Sequence, residues 1–401
     1  MNSDNGYRSF CRRLGLNICA LLVSVSALSC ETGPADPGGN DNNAGSPNPA
    51  VWSAAFLTEG AGALSSVWGS GPEDVFIVGG KPEQGEVYHF DGNNWRRMNL
   101  PPVSMLVWVF GFGPNDVFAV GFEGGVIRYD GIQWQMLDTG TSESLWGVWG
   151  KSPDDLWIVG GDSAPLILHF DGSAFTRVEA PANDRDAESL FKVWGIGRKA
   201  FVVGDNGLIL ELIDGDWEQV PGGADADDDF VSLWGTGESH IFAVGGRTSA
   251  RVARYDGTAW TTHKPDATPG LNGAFLDGSI AICGGVGGFV GSVDLSTGEV
   301  TAEESGATLD IHAVWGDGAG RHYAVGGRFS GNLEGIALVR TVGEPTTSPA
   351  APLPPICHSD DECDDANACT ADRCDDGECT HIVAADCDGS QCFVQVCDNG
   401  D

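Results

Sequence analysis

Short apolar runs recur along the chain, each closed by glycine and separated from the next by polar, turn-forming residues. Val75-Phe76-Ile77-Val78 leads into Gly79 and Leu156-Trp157-Ile158-Val159 into Gly160; matching runs end at Gly121, Gly204, Gly245, Gly284 and Gly326. They are apolar at nearly every position instead of alternating, which predicts strands buried on both faces. No 3.6-residue periodicity accompanies them, so a helical solenoid does not fit. An aromatic stands about eleven residues before each of these glycines, usually with Gly behind it: Trp68-Gly69, Phe110-Gly111, Trp149-Gly150, Trp194-Gly195, Trp234-Gly235 and Trp315-Gly316. Phe275 holds the remaining place without its Gly, and the successive spacings are 42, 39, 45, 40, 41 and 40 residues. After each run comes a stretch ending in Asp-Gly, then a second aromatic: Asp91-Gly92 with Trp95, Asp130-Gly131 with Trp134, Asp171-Gly172 with Phe175, Asp214-Gly215 with Trp217, Asp256-Gly257 with Trp260.

Each unit therefore reads as four strands. Strand a ends at the Trp-Gly, strand b is the apolar run, strand c ends at Asp-Gly, and strand d starts at the second aromatic. Asp-Gly is expected to supply the positive φ of a tight hairpin. Seven such units over residues 51–345 predict an all-β, seven-bladed β-propeller. The seventh unit has only three strands. Trp52 lies 16 residues before Trp68, in strand-d register, so residues 51–57 are expected to pair with strand c of blade seven and close the ring. Closure removes an exposed sheet edge. Blade six, with Phe275 for Trp and Asp294-Leu295 for Asp-Gly, is where the pattern is weakest. The repeat resembles propellers of bacterial exported proteins and, more distantly, the Asp-box repeats of sialidases. That resemblance implies a fold and no particular activity.

The ends of the chain differ from the middle. Arg8, Arg12 and Arg13 precede an apolar stretch, 14–29, that is short for a membrane span, so 1–29 reads as an export signal. Ala27-Leu28-Ser29-Cys30 resembles the lipobox of bacterial lipoproteins, which implies lipidation at Cys30, although Ala27 stands where that family has Leu. Plain signal cleavage, with secretion, is the alternative. Residues 30–50, rich in Gly, Pro, Asn and Asp, read as a tether. Residues 346–356 read as a linker. Eight cysteines then follow within 357–401: Cys357, Cys363, Cys369, Cys374, Cys379, Cys387, Cys392 and Cys397. So many in so short a stretch predict a disulfide-rich module, with pairing left open. It loosely resembles the Dickkopf-type cysteine-rich domain. Zinc is disfavoured, because no Cys-x2-Cys pair is present.

The formal net charge of −36 argues against nucleic acid and against a basic membrane contact, leaving the lipid anchor as the membrane link. No cofactor is implied beyond calcium, for which Asp225, Asp227, Asp228 and Asp229 are the candidate ligands; a solvated acidic surface is the alternative. Tyr88, Tyr129, Tyr255 and Tyr323 sit at packing positions, so sialidase-like chemistry is not expected. Cys283, inside an apolar run, reads as a buried thiol. Arg247, Arg251 and Arg328 fall in b–c loops and are candidate contacts for an anionic or glycan partner. The reading is a monomeric, non-enzymatic, exported lipoprotein at the outer membrane or cell surface that binds protein or polysaccharide. A glycan-active hydrolase or lyase and a structural envelope component are the alternatives.

Overall fold

The computed structural model describes residues 51–223, 226–277, 280–341, 370–375 and 378–383. The export signal, Cys30, the tether, the 346–356 linker, Asp225 and cysteines 357, 363, 369, 387, 392 and 397 lie outside these residues. Among the described residues no helix is long and apolar enough to cross a membrane.

Seven four-stranded antiparallel sheets form the blades of a β-propeller. In blade one the strands are Ala63–Gly71, Asp74–Lys81, Gln84–Phe90 and Trp95–Arg97. Blade six is complete, with Val300–Glu303 as its outer strand. Blade seven takes its fourth strand from the start of the chain: Val51–Ala54 pairs antiparallel with Glu334–Thr341, Val51 opposite Thr341 and Ala54 opposite Leu338. A separate hairpin, Thr370–Asp375 with Glu378–Val383, places Cys374 and Cys379 at paired backbone positions.

Both aromatics of the repeat join one blade to the next. The rings of Trp68, Trp149, Trp194 and Trp315 each lie against the glycine that follows the strand-a aromatic of the next blade. A Cβ added at Gly111 would come 2.5 Å from the Trp68 ring, at Gly195 2.7 Å from Trp149, and at Gly69 2.7 Å from Trp315. No side chain fits there, which is why Gly follows the aromatic. The strand-d aromatic meets the strand-b aromatic of the preceding blade edge-on: Trp134 on Phe76 at 6.1 Å, Trp217 on Trp157 at 5.3 Å, Trp260 on Phe201 at 5.2 Å. Offset and edge-to-face pairs of this kind add about 0.5–1.5 kcal/mol each beyond the area they bury.

The glycine of every Asp-Gly takes the positive φ that the sequence implies, at Gly92, Gly131, Gly172, Gly215 and Gly257, but the turns are not all tight hairpins. Only blade four uses a two-residue hairpin, with Asp214 (φ 52°) and Gly215 (φ 102°) joining Ile213 to Asp216, the positive φ pair that a type I′ turn requires. Elsewhere the loop is longer and the Asp caps it. Asp91 Oδ1 accepts from the backbone N–H of Asn93 and Asn94, and Asp130, Asp171 and Asp256 repeat the arrangement. Asp294 of blade six does the same for Ser296 and Thr297 without an adjacent Gly.

The ring is latched where the two ends of the propeller meet. Glu303 of blade six accepts a hydrogen bond from Trp52 Nε1 (2.9 Å) on the closing strand and another from Arg340 Nη2 (3.2 Å) on its partner strand. Buried Glu86 takes the Gly62 N–H (2.9 Å), the Tyr88 hydroxyl (3.0 Å) and Arg97 (3.4 Å), pinning the loop that follows the closing strand to blade one.

Candidate binding face

Antiparallel order within each blade puts all b–c and d–a connections on one face and all a–b and c–d turns on the other. The first face carries the longer loops. Its carboxylates are engaged in holding those loops to one another. Asp205 Oδ2 accepts the N–H of Glu188 (3.1 Å) and Ser189 (2.7 Å), Asp162 Oδ2 that of Ser144 (3.1 Å), and Asp310 Oδ1 that of Gly287 (2.7 Å). Charge-assisted bonds to backbone N–H are among the stronger hydrogen bonds available at a surface.

The calcium candidates take part in the same network. Asp227 pairs with Arg251 at 2.8 Å; Asp228 accepts the N–H of Asp229 and of Arg247; Asp229 accepts the Asn206 N–H (2.8 Å) and pairs with Arg247. Burial pushes the Asp229 carboxyl above its ordinary value, opposed by the Arg247 guanidinium. Among the described residues no three His, Cys, Asp or Glu side chains converge as a metal site.

The three arginines are not equivalent. Arg251 is only 4% exposed, and its Nη1 also donates to the Ser249 and Ala250 carbonyls, so it acts as an internal strut and is not open to a partner on this surface. Arg247 is a quarter exposed, held by Asp229 with Asp205 3.8 Å away, and lies over the Phe191 ring. Arg328 is more than half exposed and pairs only loosely with Glu334, at 3.6 Å. An exposed pair of that kind contributes about 0–1 kcal/mol, so Arg328 is readily given to another anion.

Every blade carries a register shift at one place in strand a, between Leu64 and Ser66, Leu106 and Trp108, Leu145 and Gly147, Leu190 and Lys192, Phe230 and Ser232, Leu271 and Gly273, Ile311 and Ala313. The extra residues include Trp146, Phe191 and His312. Trp146 meets Phe122 at 5.7 Å and Phe191 at 6.4 Å, and His312 lies tilted against Phe329 at 4.0 Å, giving this face an aromatic underlay.

The axis of the ring is narrow. Valines and the strand-a aromatics line a cavity of about 10 Å³, room for a single water. No carboxylate or arginine lines it; its one charged side chain is Lys192. The sequence reading missed this residue, yet the register gives a signal. Lys192 occupies the place held by Ser66, Trp108, Gly147, Ser232, Gly273 and Ala313, none of which is charged. The four tyrosines are at most 6% exposed. Tyr88 and Glu86 form a hydrogen-bonded pair, but under the 55–62 loop and not on the axis. Cys283 is buried, and its thiol is pushed up by burial, as expected of an inert side chain.

No family model and no curated protein matches the sequence. Solved structures do match the fold. YCF48 from Cyanidioschyzon merolae is 13% identical, with a TM-score of 0.55 over 73% of this chain and 99% of that one. A structure titled YCF48 bound to D1 peptide gives 13% identity and a TM-score of 0.55, covering 73% of this chain and 97% of that one. A streptogramin B lyase is 9% identical, with a TM-score of 0.60 over 73% of this chain and 98% of that one. At these identities the likeness is one of fold, shared by binding proteins and an enzyme.

Proposed function

We propose that this chain is an exported, non-catalytic binding propeller that presents its b–c and d–a loop face to a protein partner. The observation that carries the reading is the position of the chain ends. Val51 and Thr341 are paired neighbours on the a–b and c–d side, so the segments before and after the propeller leave from the face opposite the long loops. An anchor at Cys30 would then turn the loop face outward. Support also comes from the loops themselves, braced by carboxylate-to-backbone bonds and underlain by aromatics. A preorganised surface loses less on binding than a floppy one. A glycan-active site would need an arginine and carboxylate cluster facing substrate; the axial cavity supplies none, and the Tyr88–Glu86 pair is buried. A propeller that recognises short peptides has precedent in the structure titled YCF48 bound to D1 peptide, which lends the protein-partner reading its class of ligand.

The test is cross-linking mass spectrometry of the intact chain with proteins captured from its own envelope. Cross-links concentrated on loops 179–189, 246–250 and 328–333, and weakened by Arg328→Glu, are expected. Capture of polysaccharide alone, or cross-links confined to the a–b and c–d turns, would overturn the assignment.

A further inference from the structure

Blade seven departs from the repeat along one row of positions. In the other blades the strand-b residue of this row is Val75, Val117, Leu156, Ala200, Ile241 or Ala281. The strand-c residue, opposite the start of strand d, is Phe90, Tyr129, Phe170, Leu212, Tyr255 or Val293. Blade seven has His322 and Arg340 in these places, with Trp52 opposite Arg340. Glu303 is a third exception. It lies three residues after Val300, where blades one to five have Met98, Leu137, Val178, Val220 and His263. Trp134 Nε1 faces the Met98 sulfur at 3.3 Å, and the indole N–H groups of Trp217 and Trp260 have no partner, whereas Trp52 gives its N–H to the Glu303 carboxylate. The repeat thus offers an apolar seam, and the ring uses a polar one at the blade whose outer strand no c–d turn ties to strand c. Arg340 Nε and Glu303 lie 2.9 Å apart with side chains 16% and 20% exposed, and Arg340 Nη1 lies 3.5 Å from His322 Nδ1. A mostly buried ion pair is generally a weaker lock than apolar residues of similar volume, because desolvation offsets much of the attraction. Water also receives these groups more readily than apolar ones once the strand leaves. The next anchor along the chain is separate: Phe56 packs on Tyr88 and Trp95 of blade one at 5.1 and 5.0 Å. Residues 51–55 can therefore part while blade one keeps its packing.

We propose that the clasp is a reversible latch: residues 51–55 detach from Glu334–Thr341 in the native state, leaving the other six blades packed and the edge of blade seven open. The polar seam sets this opening below global unfolding, as a local unit of its own. The opened edge is a row of unpaired backbone groups of the kind that accepts another strand. The latch goes beyond partner recognition on the loop face and does not depend on it.

The experiment is native-state hydrogen exchange of the intact chain, read by mass spectrometry in water and in low urea. The N–H groups of Val51–Ala54 and Glu334–Thr341 are expected to exchange together, about tenfold or more faster than strand c of blade two, Val126–Tyr129, through an opening that low urea barely promotes. Glu303→Met with Arg340→Phe gives the seam the residues of blade one. It should slow exchange in 334–341 by about tenfold and leave 126–129 unchanged, while the thermal melt shows the ring folded. In a second variant, Ser53→Cys with Val339→Cys at paired positions, the oxidised chain should lose the fast exchange and the reduced chain should keep it. Equal protection of 334–341 and 126–129 in the wild type would overturn the latch. So would unchanged exchange in the folded Glu303 and Arg340 double variant, the mark of simple fraying, or faster exchange there, the mark of an ion pair that locks the ring. Fast exchange that survives the cross-link would overturn it as well.

Discussion

At the residue scale, single positions carry consequences that the repeat pattern hides. Lys192 is one. Replacing its buried amine with an apolar chain of similar length, Lys192→Met, should stabilise the propeller by about 1–3 kcal/mol, read as a rise in the midpoint of urea unfolding. Because the folded-state value is depressed, the unfolded chain binds the extra proton. The wild type should therefore gain stability as pH rises toward 10.5, and the variant should lose that dependence. On the acid side other groups act with the same sign. Burial lowers His312 to about 3, and the turn hydrogen bonds lower Asp171 and Asp256 to about 2. Their contributions are whole above the unfolded values of 6.5 and 3.8 and are lost as pH falls through the folded ones. Thermal melts should thus weaken in two stages, below about pH 6.5 and again below about pH 4; a flat profile from pH 7 to 3 would contradict this. Gly195 is a third such position. Gly195→Ala would press a methyl group into the Trp149 ring and should cost about 1–3 kcal/mol by overpacking.

At the element scale, the four-residue closing strand holds the ring together through a small number of contacts. Trp52 is 6% exposed and bonded to Glu303. Trp52→Ala should therefore cost about 3–5 kcal/mol, with hydrogen exchange rising first in Glu334–Thr341 and the blade-four strands unaffected. Glu303→Ala should give the same pattern at smaller amplitude. This element was legible in the sequence, because Trp52 keeps the strand-d interval to the next strand-a aromatic. The Trp-Gly and second-aromatic positions were legible for the same reason: inter-blade contacts repeat, so their residues repeat. The work of the Asp in Asp-Gly was not legible. The motif alone does not distinguish a two-residue hairpin from a longer loop capped by the carboxylate, and blade four differs from its neighbours only through Asp216 pairing directly with Ile213.

At the scale of the whole molecule, the count of blades and the closure of the ring followed from periodicity, whereas the binding face did not. Arg247, Arg251 and Arg328 look alike in sequence, but Arg247 and Arg251 take their partners from other loops whereas Arg328 pairs within its own. Asp227 and Asp229 belong to the preceding d–a loop, and no local pattern states which loops of adjacent blades meet. The seven register shifts were hidden for a related reason: the extra residue ranges from Ser65 to Trp146 and shares no chemistry, only a place.

The pairing of Val51 with Thr341 also has a mechanical consequence. Both strands enter the pair from the same end, so tension between the segment before residue 51 and the segment after residue 341 does not shear the ladder. It loads the rungs Val51–Thr341, Trp52–Arg340, Ser53–Val339 and Ala54–Leu338 one after another, starting with the first. A single-molecule pull between those two points should open the ring in a low-force step, with the other six blades intact until higher load. A pull applied across blade four should show no such early step. Under load applied through those two flanking segments, the propeller would yield first at its own clasp.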